Sequence, residues 1–382
     1  MPLNNISTGP AAPPPLPRVE SVQILRGVAA MLVVFHHAGL FLALGPAFKP
    51  GESYLVPNEA FAQLGAIGVD LFFVISGFVM ALSARRFMGT AGAGVFLSQR
   101  FIRIAPLFYL ACLLMLAESL RAGTPIDPSS IMNSITFIPI FDDEAYSWPL
   151  HYLGWTLAFE FVFYLIVACL IAAGRGGNHA TLLCATLLLP LAGFVVHASP
   201  ILWKVLTNPI IWEFGLGIMA SMLWEKGWLE RLRTPLAVSL ALALTAGALS
   251  VPLLPDELLR IGSDPVEGAT TAARALFWGL PAFLLFCLVI GSPEPGNGPV
   301  ARLLKLMGDA SYSIYLSHLF VIMFMSEVVK HLRFQPDVVV VSTLVLSAVV
   351  GVAVYRLVEK PMLTVGQRRI RRWSLRHMPA SG

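Results

Sequence analysis

Long apolar runs separated by short polar breaks recur along the whole chain. Each run spans about 18–25 residues, which is the length that a helix needs to cross the hydrocarbon core of a bilayer. The runs are too long and too uniformly apolar for outer-membrane strands, which alternate over about ten residues. We therefore predict an all-α fold, a polytopic membrane bundle of about ten transmembrane helices. The predicted helices cover residues 23–44, 64–84, 103–120, 149–173, 180–197, 201–223, 236–254, 272–291, 309–329 and 337–357.

The composition agrees with this fold. Of the 382 residues, 57% are hydrophobic and 13% are charged, whereas soluble globular proteins average about 45–50% and about 25%. The four cysteines lie inside apolar runs without C-x-x-C spacing, so neither a zinc site nor a disulfide framework is indicated. We divide the chain into a disordered tail at 1–20, a transmembrane domain at 21–360 and a basic tail at 361–382, with Pro361 expected to end the last helix.

The placement of Lys and Arg predicts the orientation. If the N-terminus is cytoplasmic, 19 of the 26 basic residues lie on the inner side of the predicted helices and 7 lie on the outer side. Membrane proteins concentrate these residues in cytoplasmic segments, so we expect both termini in the cytoplasm. The tail QRRIRRWSLRH suits an anionic inner leaflet, although a plain topology anchor accounts for it as well. The outer segment IPIFDDEAYSWPLHY mixes carboxylates with aromatic residues, which suits either a sugar-like acceptor or interfacial anchoring.

Arg26 and His37 lie in the first predicted helix, in LRGVAAMLVVFHHAG. Eleven residues of α-helix rotate by about 1,100°, which leaves the two side chains about 20° apart around the axis and about 16 Å apart along it. His36 lies about 80° from Arg26 in the other direction and is expected to pack or support. Ionisable side chains at this depth mark functional sites, although a snorkelling arginine and a structural histidine are the alternatives.

Two arginines one helical turn apart begin the third predicted helix, in SQRFIRIAPLFYL. Arg100 and Arg103 share one face, and two guanidinium groups at a membrane entrance suit the phosphates of a cytoplasmic ligand. Tyr109 follows in the same helix. Anchoring by positive charge on the inner side is the alternative.

Two carboxylates lie inside predicted helices. Asp70 precedes Ser76 in GVDLFFVISGFVM, and Glu160 follows Trp155 in GWTLAFEFVFYL. A carboxylate at such a position needs a partner, and it can orient a histidine or act in acid–base catalysis. Structural pairing within the bundle is the alternative.

A polar stripe occupies the ninth predicted helix. In MGDASYSIYLSHLFV, Ser311, Tyr315 and His318 recur at i, i+4 and i+7, so this face is expected to meet other helices rather than lipid. The chain contains no Walker loop, no H-E-x-x-H and no G-x-S-x-G, so the usual soluble enzyme motifs are excluded.

Six segments in this order resemble a known family: LRGVAAMLVVFHHAG, GVDLFFVISGF, QRFIRIAPLFYL, GWTLAFEFVFYL, GDASYSIYLSHLF and VEKP. Over almost its whole length the chain closely resembles the bacterial membrane acyltransferase family 3, and most of all its exopolysaccharide-modifying branch. The family pattern of Arg, ten residues and His falls on Arg26 and His37. Its other motifs fall on Phe72, Phe73, Ile75, Ser76, Gly77, Arg100, Arg103, Trp155, Glu160, Tyr312, Ser313, Tyr315 and His318.

The resemblance implies an enzyme of the bacterial inner membrane. It implies transfer of an acetyl or other short acyl group from cytoplasmic acetyl-CoA to a hydroxyl of a cell-surface carbohydrate or its lipid-linked precursor. The expected partners are membrane lipid, the glycan acceptor and polysaccharide-assembly proteins, with neither metal nor nucleic acid.

The resemblance also assigns roles to residues. His37 is expected to act as a general base or to take the acyl group covalently, with Glu160 or Asp70 orienting it. The expected catalytic residues are His37, Arg26, Glu160 and Asp70; the expected CoA-binding residues are Arg100, Arg103, Tyr109 and Ser76; and the expected acceptor-binding or supporting residues are Trp155, Tyr315, His318 and His36.

Two other functions stay open at this point. A transporter or flippase of lipid-linked sugars would use the same buried charges as a polar pathway, but it has no reason to bind acetyl-CoA. A non-catalytic membrane partner in polysaccharide assembly would tolerate the loss of His37.

Overall fold

The computed structural model describes residues 19–49, 51–138, 146–196, 200–250, 268–332 and 334–377. These residues are almost entirely helical, and no β-strand occurs among them. The acidic outer segment with Asp142, Asp143 and Glu144 and the first 18 residues lie outside the described residues. The helices are α1 Glu20–Ala38, α2 Glu59–Gln63, α3 Ile67–Ala84, α4 Gly89–Ala122, α5 Pro128–Thr136, α6 Gly154–Ala172, α7 His179–Val195, α8 Ile201–Leu206, α9 Ile211–Glu225, α10 Trp228–Arg231, α11 Arg233–Ser250, α12 Gly268–Arg274, α13 Leu280–Ile290, α14 Pro299–Asp309, α15 Ser311–His331, α16 Pro336–Val354 and α17 Lys360–His377.

The polytopic helical bundle predicted from the sequence is confirmed, and each of the ten apolar runs falls on a helix. Within the described residues, eight helical segments are long and apolar enough to cross a membrane. The helices of the fifth and seventh runs, His179–Val195 with 17 residues and Arg233–Ser250 with 18 residues, are not among these eight segments.

Large apolar side chains cover the outside of the bundle. Leu113, Leu188 and Val345 are each more than half exposed, and similar residues recur on the outer faces of the long helices. Such a surface is costly in water and is expected where helices face lipid tails. The interior is filled by fully buried aromatic rings such as Phe78 and Phe159.

Helix α1 lies at the centre of the bundle, where it contacts α3, α14, α15 and α16. Because α1 is one unbroken α-helix from Glu20 to Ala38, it carries both Arg26 and His37. The prediction that these two residues share one helix is therefore confirmed.

The basic C-terminal segment is a helix rather than the tail predicted from residue 361. A π-helical turn at Tyr355–Glu359 joins α16 directly to α17, which continues to His377. Pro361 is the second residue of α17 and does not end the helix, so that prediction is wrong. Pro361 directly follows the π-helical turn, where the regular i→i+4 hydrogen-bond pattern is already interrupted, so its missing N–H does not end the helix.

Three π-helical turns interrupt the described helices, at Gly39–Ala43, Ala275–Gly279 and Tyr355–Glu359. Each closes its hydrogen bonds one residue further along than an α-helix does, so each holds one extra residue. The first follows α1, the second joins α12 to α13, and the third joins α16 to α17.

Helices α3 and α9 touch through their backbones at two glycines. A Cβ on Gly77 would lie 2.0 Å from the carbonyl oxygen of Phe214, and a Cβ on Gly217 would lie 2.0 Å from the carbonyl oxygen of Val74. Small residues at such positions let membrane helices approach closely. The two helices are therefore fixed against each other without an intervening side chain.

We expect Gly77→Ala to destabilise the bundle, because the new methyl group would meet backbone that cannot move aside. Overpacking of this kind lowers the free energy of unfolding by about 1–3 kcal/mol or more. Thermal unfolding in detergent measures the change. Gly94→Ala is the matched control, since a Cβ on Gly94 meets nothing within 4 Å and alanine favours a helix. Equal melting temperatures for the two variants would show that α3 and α9 do not touch closely at Gly77.

Candidate active site

A cavity of about 140 Å³ lies between α1, α3, α4, α6 and α15. It brings together side chains from widely separated parts of the chain, mixing apolar rings with charged groups. Six of the residues predicted from the sequence to form a site line it, namely Arg26, Ser76, Arg100, Arg103, Glu160 and Tyr315. The cavity is therefore the centre of the candidate site.

Three arginines and one carboxylate meet in this cavity, and a second carboxylate adjoins it. Glu160 accepts hydrogen bonds from Ser76 Oγ at 3.2 Å and from the hydroxyl of Tyr164. Arg103 forms an ion pair with the almost fully buried Glu359, with 3.1 Å between Nη1 and Oε1.

Arg26 and Arg100 supply the other two positive charges in the lining of the cavity. Arg100 Nη2 donates to Ser83 Oγ at 3.2 Å, and its guanidinium lies 5.2 Å from the ring centroid of Phe96. Arg26 lines the same cavity from α1. Because three guanidinium groups face two carboxylates, the site keeps an excess of positive charge that suits an anionic ligand.

His37 and His318 form a hydrogen-bonded pair beside the cavity. His318 Nε2 lies 3.0 Å from His37 Nδ1, and His318 Nδ1 lies 3.3 Å from the carbonyl oxygen of Ile314. His318 is fully buried and His37 is 7% exposed. The ring of Tyr315, which lines the cavity, lies 6.1 Å from the ring of His318. The histidine pair and the arginine-lined cavity are thus neighbouring parts of one site.

Aromatic rings enclose His37. Phe41 stacks on it with ring centroids 5.9 Å apart, and Tyr152 meets it edge-on at 5.6 Å. His36 also lies next to it, at 4.8 Å. The Nδ1 atom of His36, however, contacts the carbonyl oxygen of Ala62 at 3.1 Å, so His36 joins α1 to α2 and supports the site from outside.

The structure does not place either predicted carboxylate on the imidazole of His37. Asp70 is fully buried and accepts two hydrogen bonds from Arg274, at 2.9 and 3.0 Å, while Glu160 is held by Ser76 and Tyr164. The residue that contacts His37 Nδ1 is His318 instead.

Trp155 belongs to the buried ion pair of Asp70 and Arg274 rather than to the cavity. Its ring centroid lies 5.5 Å from the guanidinium carbon of Arg274. Glu213 from α9 is fully buried close enough to interact electrostatically with both charged partners. This second cluster stabilises the packing of α3 against α9 and α12.

Tyr109 does not reach the cavity, contrary to the expected role in CoA binding. Its hydroxyl donates to the carbonyl oxygen of Ile135 at 2.7 Å, and its ring packs on Phe137. The six residues from Arg103 to Tyr109 rotate by about 600° around α4, which turns Tyr109 away from the arginines. It is a packing residue between α4 and α5.

The model of the acyltransferase domain of family 3 matches residues 19–356 of the chain. The chain belongs to membrane acyltransferase family 3. It is similar to exopolysaccharide production protein ExoZ of Rhizobium meliloti, with 31% identity over 312 residues that cover 80% of this chain and 92% of that protein. It is also similar to acyltransferase MdmB of Streptomyces mycarofaciens, with 25% identity over 94% of this chain and 95% of that protein. No solved structure matches the chain.

Sequence reasoning gives no site role to several buried charged residues of this membrane acyltransferase. Arg274 and Glu213 lie in none of the motifs, and Glu359, in the segment VEKP, forms an ion pair with Arg103 in the cavity wall. Tyr164 stands four residues after Glu160, and this spacing is the one signal that indicated their contact.

Within the described ranges, no three His, Cys, Asp or Glu side chains lie close enough together to hold a metal ion. The family match ends at residue 356, so α17 lies beyond it.

Proposed function

We propose that this membrane acyltransferase moves an acetyl or other short acyl group from cytoplasmic acyl-CoA to a hydroxyl of a cell-surface carbohydrate or its lipid-linked precursor. The observation that carries the proposal is the cavity with three arginines, which reaches the buried pair of His37 and His318 through Tyr315 in its wall. The name of ExoZ, which speaks of exopolysaccharide production, favours an exopolysaccharide as the final acceptor.

The arginines would receive the anionic donor. Arg100 and Arg103 begin the membrane-embedded part of α4, and guanidinium groups bind phosphate with paired hydrogen bonds. The excess of Lys and Arg on this side of the bundle favours its placement in the cytoplasm of a bacterial inner membrane. The acyl thioester would extend from there through the cavity towards His37.

The histidine pair would supply the base. His318 carries its proton on Nδ1, which faces the carbonyl oxygen of Ile314, so its Nε2 accepts from the Nδ1–H of His37. This arrangement leaves the lone pair of His37 on Nε2. The proposed tautomers therefore give His37 the basic nitrogen that the reaction needs, and they give His318 the orienting role expected of a carboxylate.

The transfer step balances without a further reactant. His37 Nε2 takes the proton of the acceptor hydroxyl while its oxygen forms the new ester bond to the thioester carbon. The carbon–sulfur bond then breaks, and the proton moves from His37 to the departing thiolate, which leaves as free CoA. If His37 itself takes the acyl group first, the same nitrogen forms the intermediate.

Comparing a deletion strain with a complemented strain tests the proposal. We expect NMR of the extracellular polysaccharide to show O-acyl esters only when the wild-type gene is present. Isothermal titration of the purified protein should also show CoA binding, which separates an acyltransferase from a flippase. Unchanged ester content together with no CoA binding would overturn the proposal.

A further inference from the structure

Helix α17 packs closely on α4 although it lies outside the family match. A Cβ on Gly366 would lie 2.3 Å from Cγ2 of Ile102, so the side chain of Ile102 packs directly on the backbone of α17. Ile370, one turn further along α17, is 9% exposed. The helix is therefore a fixed part of the structure at the end of the bundle where the arginines lie.

A second cavity, of about 430 Å³, lies between these two helices. Gln99, Arg100 and Arg103 line it from α4, while Gln367 and Arg371 line it from α17. Arg100 and Arg103 also line the inner cavity, so the two cavities share a wall of guanidinium groups.

The two cavities differ in size, so each suits a different part of the acyl-CoA donor. Pockets for ligands of ordinary cofactor size have about 300–1,000 Å³, and the inner cavity of about 140 Å³ is smaller than this range. Its volume suits the acyl thioester better than the nucleotide. The outer cavity falls within the range and presents three arginines and two amide side chains, which is the chemistry that binds clustered phosphates.

We propose that α17 forms one wall of the binding site for the phosphate-bearing nucleotide end of acyl-CoA, with Arg371 and Gln367 contacting the phosphates opposite Arg100 and Arg103. The inference rests on the proposed function for the identity of the donor. It assigns a binding role to a helix that lies beyond the residues matched by the family model.

The test measures steady-state kinetics of the full-length protein in nanodiscs with two donors. Acetyl-CoA carries the nucleotide phosphates, whereas acetyl-pantetheine carries the same thioester arm without them. We expect Arg371→Gln to raise KM for acetyl-CoA about tenfold, because the variant loses a charge-assisted hydrogen bond to a phosphate. We expect kcat, and all constants for acetyl-pantetheine, to stay unchanged.

Arg369→Gln is the matched control. It removes the same charge from the same helix at an exposed position that does not line the cavity. Equal increases in KM for both variants would show a general surface-charge effect and would overturn the inference. An unchanged KM for Arg371→Gln would overturn it as well.

Measurements in nanodiscs with and without anionic lipid distinguish whether Arg371 binds the phosphates of acyl-CoA or those of lipid headgroups. If Arg371 binds lipid headgroups instead, Arg371→Gln will abolish the dependence of activity on anionic lipid and leave KM for acetyl-CoA unchanged, which overturns the inference. Absence of turnover by the wild-type protein with acetyl-CoA and its acceptor would overturn the proposed function itself, and this outcome is distinct from a loss specific to Arg371.

Discussion

Replacing His37 by alanine is expected to lower the rate of acyl transfer by about 10²–10⁴-fold, the usual effect of removing a general base. KM for the acyl-CoA donor should change little, because the arginines that would hold the donor remain in place. The rate is measured with purified protein and acetyl-CoA, and the ester content of the polysaccharide gives the same comparison in cells.

His36→Ala is the control for this prediction. His36 neighbours His37 in the chain, but its ring nitrogen contacts the backbone of Ala62 rather than the histidine pair. This variant should retain most of the activity. If folded His37→Ala protein transfers acyl groups at the wild-type rate, neither general-base catalysis nor an acyl-histidine intermediate operates at this residue.

Replacing Arg274 by methionine is expected to destabilise the protein by about 3–5 kcal/mol, because removing one partner of a buried ion pair leaves the other charge uncompensated. Asp70 is fully buried and Arg274 is 5% exposed, so water cannot replace the lost partner. Glu213 lies beside them and adds a second buried carboxyl group. Thermal unfolding in detergent measures the loss.

A double replacement tests whether the pairing itself is responsible. Asp70→Leu combined with Arg274→Met removes both charges, and apolar replacements of buried ion pairs are often neutral or stabilising. We expect the double variant to be more stable than Arg274→Met alone. A double variant that is less stable than the single one would show that the two residues do not act as a pair.

Local geometry could be predicted from the sequence, and long-range pairing could not. The angle between Arg26 and His37 depends only on the helical repeat, so it follows from their spacing. The partner of Asp70 is 204 residues away in the chain. Its identity depends on how α3 packs against α12, and hydropathy carries no information about that packing.

The errors at Tyr109 and Pro361 have a shared physical cause. In both cases a residue was interpreted from its neighbours in the sequence rather than from its position around a helix. Tyr109 follows the paired arginines but faces another helix. Pro361 follows an apolar run but stands directly after a π-helical turn, and the helix continues through it.

The π-helical turns make the site sensitive to the length of the chain. Phe41 in the first turn stacks on His37, the second turn begins directly after Arg274, and Glu359 ends the third. Removing the extra residue of such a turn restores regular α-helical hydrogen bonds, leaves the rest of the helix in register and redirects the side chains of the turn itself. Single-residue deletions at these three places would therefore keep the bundle intact and displace side chains next to His37, Arg274 and Arg103.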